Sequence, residues 1–205
     1  MESIREHLKQ LSAVSVTVAK ATFALEQTLC RYGPVSRSSF TSFTDGLKFL
    51  IPLKSFTTRF LLLGLDEWTI ILTDMKGENP YVDAYAISRA TNCSAIGVVL
   101  QEQRRELQIV ERGKKVRQVQ SLLDFDTWYY REEGGRLPWE DPDEYTRKSK
   151  RKRLTVEALK RYFATYTGFK VPSWNTARFS EIFGLERSVH EAQVPIVHYD
   201  TEWDL

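Results

Sequence analysis

Cysteine, histidine and methionine are all scarce in this chain of 205 residues: it has Cys30 and Cys93, three histidines and two methionines. Neither cysteine belongs to a Cys-x-x-Cys pair, and His7, His190 and His198 are far apart, so the ligand spacing of a zinc site is missing. His190 and His198, beside Glu191 and Asp200, offer a metal two ligands at most. Each cysteine reads as a small core hydrophobe, because no companion set for a nucleophile accompanies it. A phosphate-cradling glycine loop, a Gly-x-Ser-x-Gly elbow and a dinucleotide fingerprint are absent too. No cofactor is therefore expected. The first seven residues lack an apolar signal core and no run of about 18 apolar residues occurs, so the expectation is a cytoplasmic protein with reduced thiols and no membrane partner. Charge of one sign is lacking as well. With 29 Lys and Arg against 27 Asp and Glu, a net of +2 excludes a protein that coats nucleic acid over its whole surface but permits a local patch.

What is present is ordinary globular material, 42% hydrophobic and 27% charged, in a length that suits one domain with appendages. The reading divides it into an N-terminal helical segment (1–33), a loop-rich connection (34–57), an α+β core domain (58–185) and a C-terminal tail (186–205).

Residues 58–100 hold the densest apolar runs. Phe60-Leu61-Leu62-Leu63 and Trp68-Thr69-Ile70-Ile71-Leu72 are short and bulky, with Gly64-Leu65-Asp66-Glu67 between them, which predicts a buried hairpin. Asn79-Pro80 predicts the start of a helix whose apolar stripe is Val82, Ala86, Ile87 and Ala90 and which Asn92 closes. Ser94 to Leu100 predicts a strand buried on both faces. Upstream, Ile4, Leu8, Leu11, Val18, Leu25 and Leu29 recur at helical spacing, with the β-branched Val14, Val16, Thr17 and Val18 weakening the middle. Two helices, or one bent near Ser12, are expected. The Ser- and Thr-rich stretch 35–46 reads as a surface loop, and 47–51 as an edge strand or helical turn.

Downstream, residues 106–111 and 116–120 predict a hairpin with one wet face, and 127–131 a further strand of an antiparallel meander. Asp141-Pro142-Asp143-Glu144 predicts a helix start that carries on through Arg153. Thr155 should cap a second helix striped with Leu159, Tyr162, Phe163 and Tyr166 and stopped by Gly168. Pro172-Ser173 introduces a third, with Phe179, Ile182 and Phe183, which Gly184 stops. The fold class is α+β, an antiparallel sheet of about five or six strands with helices on one face and at both chain ends.

Two constellations could carry function. Asp66, Glu67 and Asp74 sit at the ends of a strand, as in metal-dependent nucleases, but Gln108 stands where that chemistry places a lysine. The set fails, and an enzyme is not expected. Residues 147–153 hold six bases in seven positions after the acids Glu140, Asp141, Asp143 and Glu144, a layout that complements a helix dipole or steers a charged partner. Trp128, Tyr129, Tyr130 and Trp139, near these bases, read first as core packing and second as stacking platforms.

The run Trp68 to Leu72, the helix leading to Asn92-Cys93-Ser94-Ala95-Ile96, and Arg151-Lys152-Arg153-Leu154-Thr155 with Leu159 and Tyr162 together resemble, in layout, the small cytosolic proteins of bacterial toxin–immunity loci. That resemblance implies a non-enzymatic protein of the immunity or inhibitor type that binds another protein, possible targets including a toxin. The expected contact residues are Asp66, Glu67, Glu140, Asp143, Glu144, Lys148, Lys150, Arg151 and Lys152. A nucleic-acid-binding accessory protein using residues 147–153 is the alternative.

Overall fold

In Phe60-Leu61-Leu62-Leu63 every side chain is apolar, so a strand built from it presents oil to both sides of its sheet and needs cover on both. The computed structural model, which describes residues 10–50, 57–73, 82–170 and 179–188, supplies that cover. Its centre is one sheet of nine strands, every neighbouring pair antiparallel: β1 (Gln10–Val14), β2 (Val35–Ser39), β3 (Thr57–Leu65), β4 (Trp68–Thr73), β5 (Ser94–Leu100), β6 (Arg104–Glu111), β7 (Lys114–Asp124), β8 (Thr127–Glu133) and β9 (Ile182–Ser188). They lie in the order β2-β9-β3-β4-β1-β5-β6-β7-β8. Among the described residues the α-helices are α1 (Val18–Leu29), α2 (Phe43–Leu50), α3 (Val82–Thr91), α4 (Asp143–Thr146) and α5 (Val156–Thr167).

The α+β class holds. The sheet is larger than expected, and helices cover both of its faces instead of one. Leu61, Leu63, Ile70, Leu72, Ile96, Val98, Leu107 and Ile109 meet α2 and α5 on one face. Phe60, Leu62, Ile71, Ala95 and Val110 meet α1 and α3 on the other. β6 is buried on both faces, so the wet face expected of its hairpin appears only along β7 and β8.

Several sequence expectations are corrected. Residues 10–14 form a central strand, not a helix: Ser12 pairs with Ile71 on one side and Gly97 on the other. The helix-like row of apolar residues runs on through them because a strand buried on both faces shows no polar alternation. Residues 35–39 form an edge strand and 43–46 open a helix where a loop is expected, and that helix runs on to Leu50, in line with the helical turn allowed for 47–51. In α3 the buried positions are Ala84, Ile87 and Ser88, whereas Ala90 is exposed; Asn79 and Pro80 lie outside the described residues. Ile182 and Phe183 belong to a strand, and Gly184 lies inside it because a Cβ there would stand 2.8 Å from Phe49 Cε1 and 2.9 Å from Phe40 Cε2. Pro172 and Ser173 lie outside the described residues, as does the tail beyond residue 188.

The β3–β4 hairpin, the Asn92 stop (φ 56°), the Thr155 cap, whose Oγ1 accepts from the Ala158 N–H at 3.2 Å, and the left-handed Gly168 (φ 75°) are as the sequence indicated.

Candidate partner-binding surface

The acids turn inward. Gly134 has φ +77°, and a Cβ there would lie 2.0 Å from the Val116 carbonyl oxygen, so only glycine lets the chain leave β8 at this point. The chain then folds back and delivers Glu140 to Arg117 of β7. Arg117 Nε donates to Glu140 Oε1 at 3.1 Å and Nη2 donates to Oε2 at 3.0 Å, and neither side chain has any exposed surface. The Arg117 Nη1 donates to the Gly134 carbonyl at 3.0 Å and Nη2 to Glu132 Oε2 at 2.9 Å. The Leu137 N–H and the Tyr145 hydroxyl both donate to Glu140. Burial, then the bond to Glu140, pushes the Tyr145 hydroxyl far above its ordinary range.

Glu144 is equally committed. Its Oε2 accepts from the Thr155 N–H at 3.1 Å and from Thr155 Oγ1 at 3.0 Å, while Oε1 accepts from Arg147 Nη2 at 2.9 Å. Both acids were expected on a partner-facing surface; instead they are structural groups, buried by the pairing that neutralises them. Asp143 remains exposed. Asp66 and Glu67 are exposed in the β3–β4 turn, but β1, β5, β6 and β7 stand between that hairpin and β8. Asp66 and Glu67 therefore do not share one site with the loop 147–153.

The bases turn outward. They were expected on a helix, yet α4 ends at Thr146, Arg147 is extended (ψ 136°) and only a 3-10 turn, Lys150–Lys152, follows. A helix would spread six bases over every face; the loop instead pins its own carbonyls beneath it. Arg105 Nη2 donates to the Arg151 carbonyl at 2.8 Å, Arg147 Nη1 to that of Lys152 at 3.0 Å, and Arg153 Nε to that of Arg147 at 2.7 Å. Ser121 Oγ reaches the Lys150 carbonyl at 3.4 Å. Lys148, Lys150, Arg151 and Lys152 are left exposed, and among the described residues none of them holds an ion pair.

Arg105 is the post under this loop. It is 6% exposed, and its guanidinium lies 4.4 Å from the centre of the Trp128 ring. Burial, and then the Arg151 charge, lowers its pKa. Arg153 similarly covers Tyr130 at 4.9 Å. Trp139 packs on Tyr162 and Tyr166 of α5, as core packing predicts. Tyr129 does not: it is 54% exposed.

Sequence reasoning missed Phe125, which is 96% exposed at the tip of the β7–β8 hairpin. Phe125 (φ 42°) and Asp126 (φ 65°) both take left-handed backbone, a type I′ turn built without glycine or asparagine. The signal was Asp-Phe-Asp-Thr between two strands, a two-residue turn with an aromatic ring where a small residue fits best.

Of the residues weighed for metal-dependent chemistry, Asp66 and Glu67 lie in the β3–β4 turn, with β1 and β5 between that hairpin and Gln108 on β6. Gln108 is buried on β6 beside Glu106, whose carboxylate accepts from Arg104 and Gln120, and Asp74 lies outside the described residues. Among the described residues no group of three His, Cys, Asp or Glu could hold a metal ion, and no helix is long and apolar enough to cross a membrane. In comparisons with known proteins, no family model, no curated protein and no solved structure matches the chain.

Proposed function

We propose that this chain is a non-enzymatic binding protein, of the inhibitor or immunity type, that engages an acidic surface of a partner protein through the loop 147–153. One observation carries the reading: Lys148, Lys150, Arg151 and Lys152 project to solvent from a backbone already fixed by Arg105, Arg147 and Arg153. Four unpaired cations on so short a loop repel one another in the free protein, and an acidic partner relieves that repulsion. Because the loop is held beforehand, little ordering opposes the contact. Phe125 and Tyr129 add exposed rings of the kind that anchor protein interfaces.

The rings beside the cations also support the second reading, a nucleic-acid-binding accessory protein. Asp124 and Asp126, both exposed, flank Phe125 and oppose a phosphate chain laid along the hairpin. The test reverses Lys148, Lys150 and Lys152 to Glu, with circular dichroism as the folding check. Loss of a partner protein recovered from the native host, with no shift of labelled DNA or RNA by the wild type, supports the first reading. A shift that weakens steeply with salt supports the second.

A further inference from the structure

The β7–β8 hairpin closes with Asp124 opposite Thr127 across a two-residue type I′ turn. In such a hairpin the closing pair exchanges main-chain hydrogen bonds, and bonded and non-bonded pairs then alternate. The pairs Leu122–Tyr129, Gln120–Arg131 and Gln118–Glu133 therefore hold β8 to β7. Trp128, Tyr130 and Glu132 direct their N–H and C=O groups the other way, off the edge of the sheet. Among the described residues no hydrogen bond from another element reaches those groups. An open edge of this kind is a template for one more strand.

We propose that β8 takes an extended acidic segment of a partner protein as a tenth strand. The occupant follows from charge and pleat. Ser121 and Tyr130 are cross-strand neighbours, so their side chains share a face, and on that face the loop 147–153 rests against them through the Lys150 carbonyl and Arg153. A strand added to β8 sends alternate side chains to the face of Lys148, Lys150, Arg151 and Lys152, where acids are favoured. The intervening side chains go to the face of Tyr129, where apolar groups are favoured. A second copy of this chain is the wrong occupant. Antiparallel pairing of β8 with itself has its two-fold axis normal to the sheet, which brings both basic loops to the same face, where the β8 acid, Glu132, is already held by Arg117 and Arg136.

The inference rests on the loop binding acids, and the test separates the two claims. The probes are two eight-residue peptides of equal charge, one alternating Glu and Val, the other alternating N-methylglutamate and Pro, which offers no amide N–H on either edge, titrated into the full chain at low salt. Strand addition predicts that the Glu-Val peptide binds at least tenfold more tightly and slows hydrogen exchange at the Trp128, Tyr130 and Glu132 amides. N-methylation of the Glu-Val peptide on the set of amides facing β8 should weaken binding at least tenfold, while methylation on the other set changes it less than twofold. Equal binding of both peptides overturns strand addition and leaves the acid-binding loop standing. Binding of neither overturns both. A dimer in sedimentation at low salt, with β8 amides protected in the absence of peptide, overturns the choice of occupant.

Discussion

Arg117 and Glu140 face each other across a gap of 3.0 Å with both side chains fully buried, and their pairing joins β7 to the chain that returns after β8. Removing one member strands the other. Glu140→Gln is expected to cost about 3 kcal/mol, measured by urea unfolding, because the Arg117 charge then keeps only Glu132. Replacing both members by apolar residues of similar volume should restore most of that loss.

Acid should weaken the same region from its surface side. The bond from Arg136, followed by that from Arg117, holds the Glu132 carboxyl below the usual carboxylate range, and Lys115 does the same for Glu133. A carboxyl whose folded pKa is depressed adds stability that is present above its unfolded value, about 4.3, and lost as pH falls through the folded one. The thermal midpoint should be level from pH 5 to 7 and fall below about pH 4. Glu132→Gln should make that fall shallower.

Gly184→Ala should destabilise by about 1–3 kcal/mol in urea melts, because the new methyl group meets the rings of Phe40 and Phe49 inside a packed layer. Circular dichroism should show the strand content retained.

Trp68→Ala tests the aromatic row over α5. Trp68 is half-buried and lies 5.4 Å from the Tyr166 ring, whose hydroxyl donates to Glu111 Oε1 at 2.8 Å. A fully buried Trp would cost about 3–5 kcal/mol, so a loss nearer 2 kcal/mol is expected by urea unfolding.

What could be read from the sequence was local. The β3–β4 hairpin follows from two bulky runs around a short polar turn, and α5 from a capping Thr155 and a left-handed Gly168. What could not be read depends on partners distant in the chain. Residues 10–14 are a strand because β4 and β5 lie on either side of them, and nothing in those five residues names those neighbours. The same holds for charge. Glu140 and Lys150 look equally exposed as letters; Arg117, brought in from β7, buries the first, while Arg105 grips the backbone of the loop carrying the second and leaves its ammonium outside.

The strand order has a consequence for how the molecule is made. β1 is inserted between β4 and β5, and β9 between β2 and β3, so neither lies beside its neighbour in sequence. Local hairpins such as β6–β7–β8 can form within microseconds, but the two halves of the sheet meet only through β1. Assembly must therefore wait on pairings between segments far apart in the chain, which is the slow class of folding. Until β1 arrives, the facing edges of β4 and β5 are apolar and unpaired, so a chain delayed at that step carries its greatest risk of aggregation at the middle of the finished sheet.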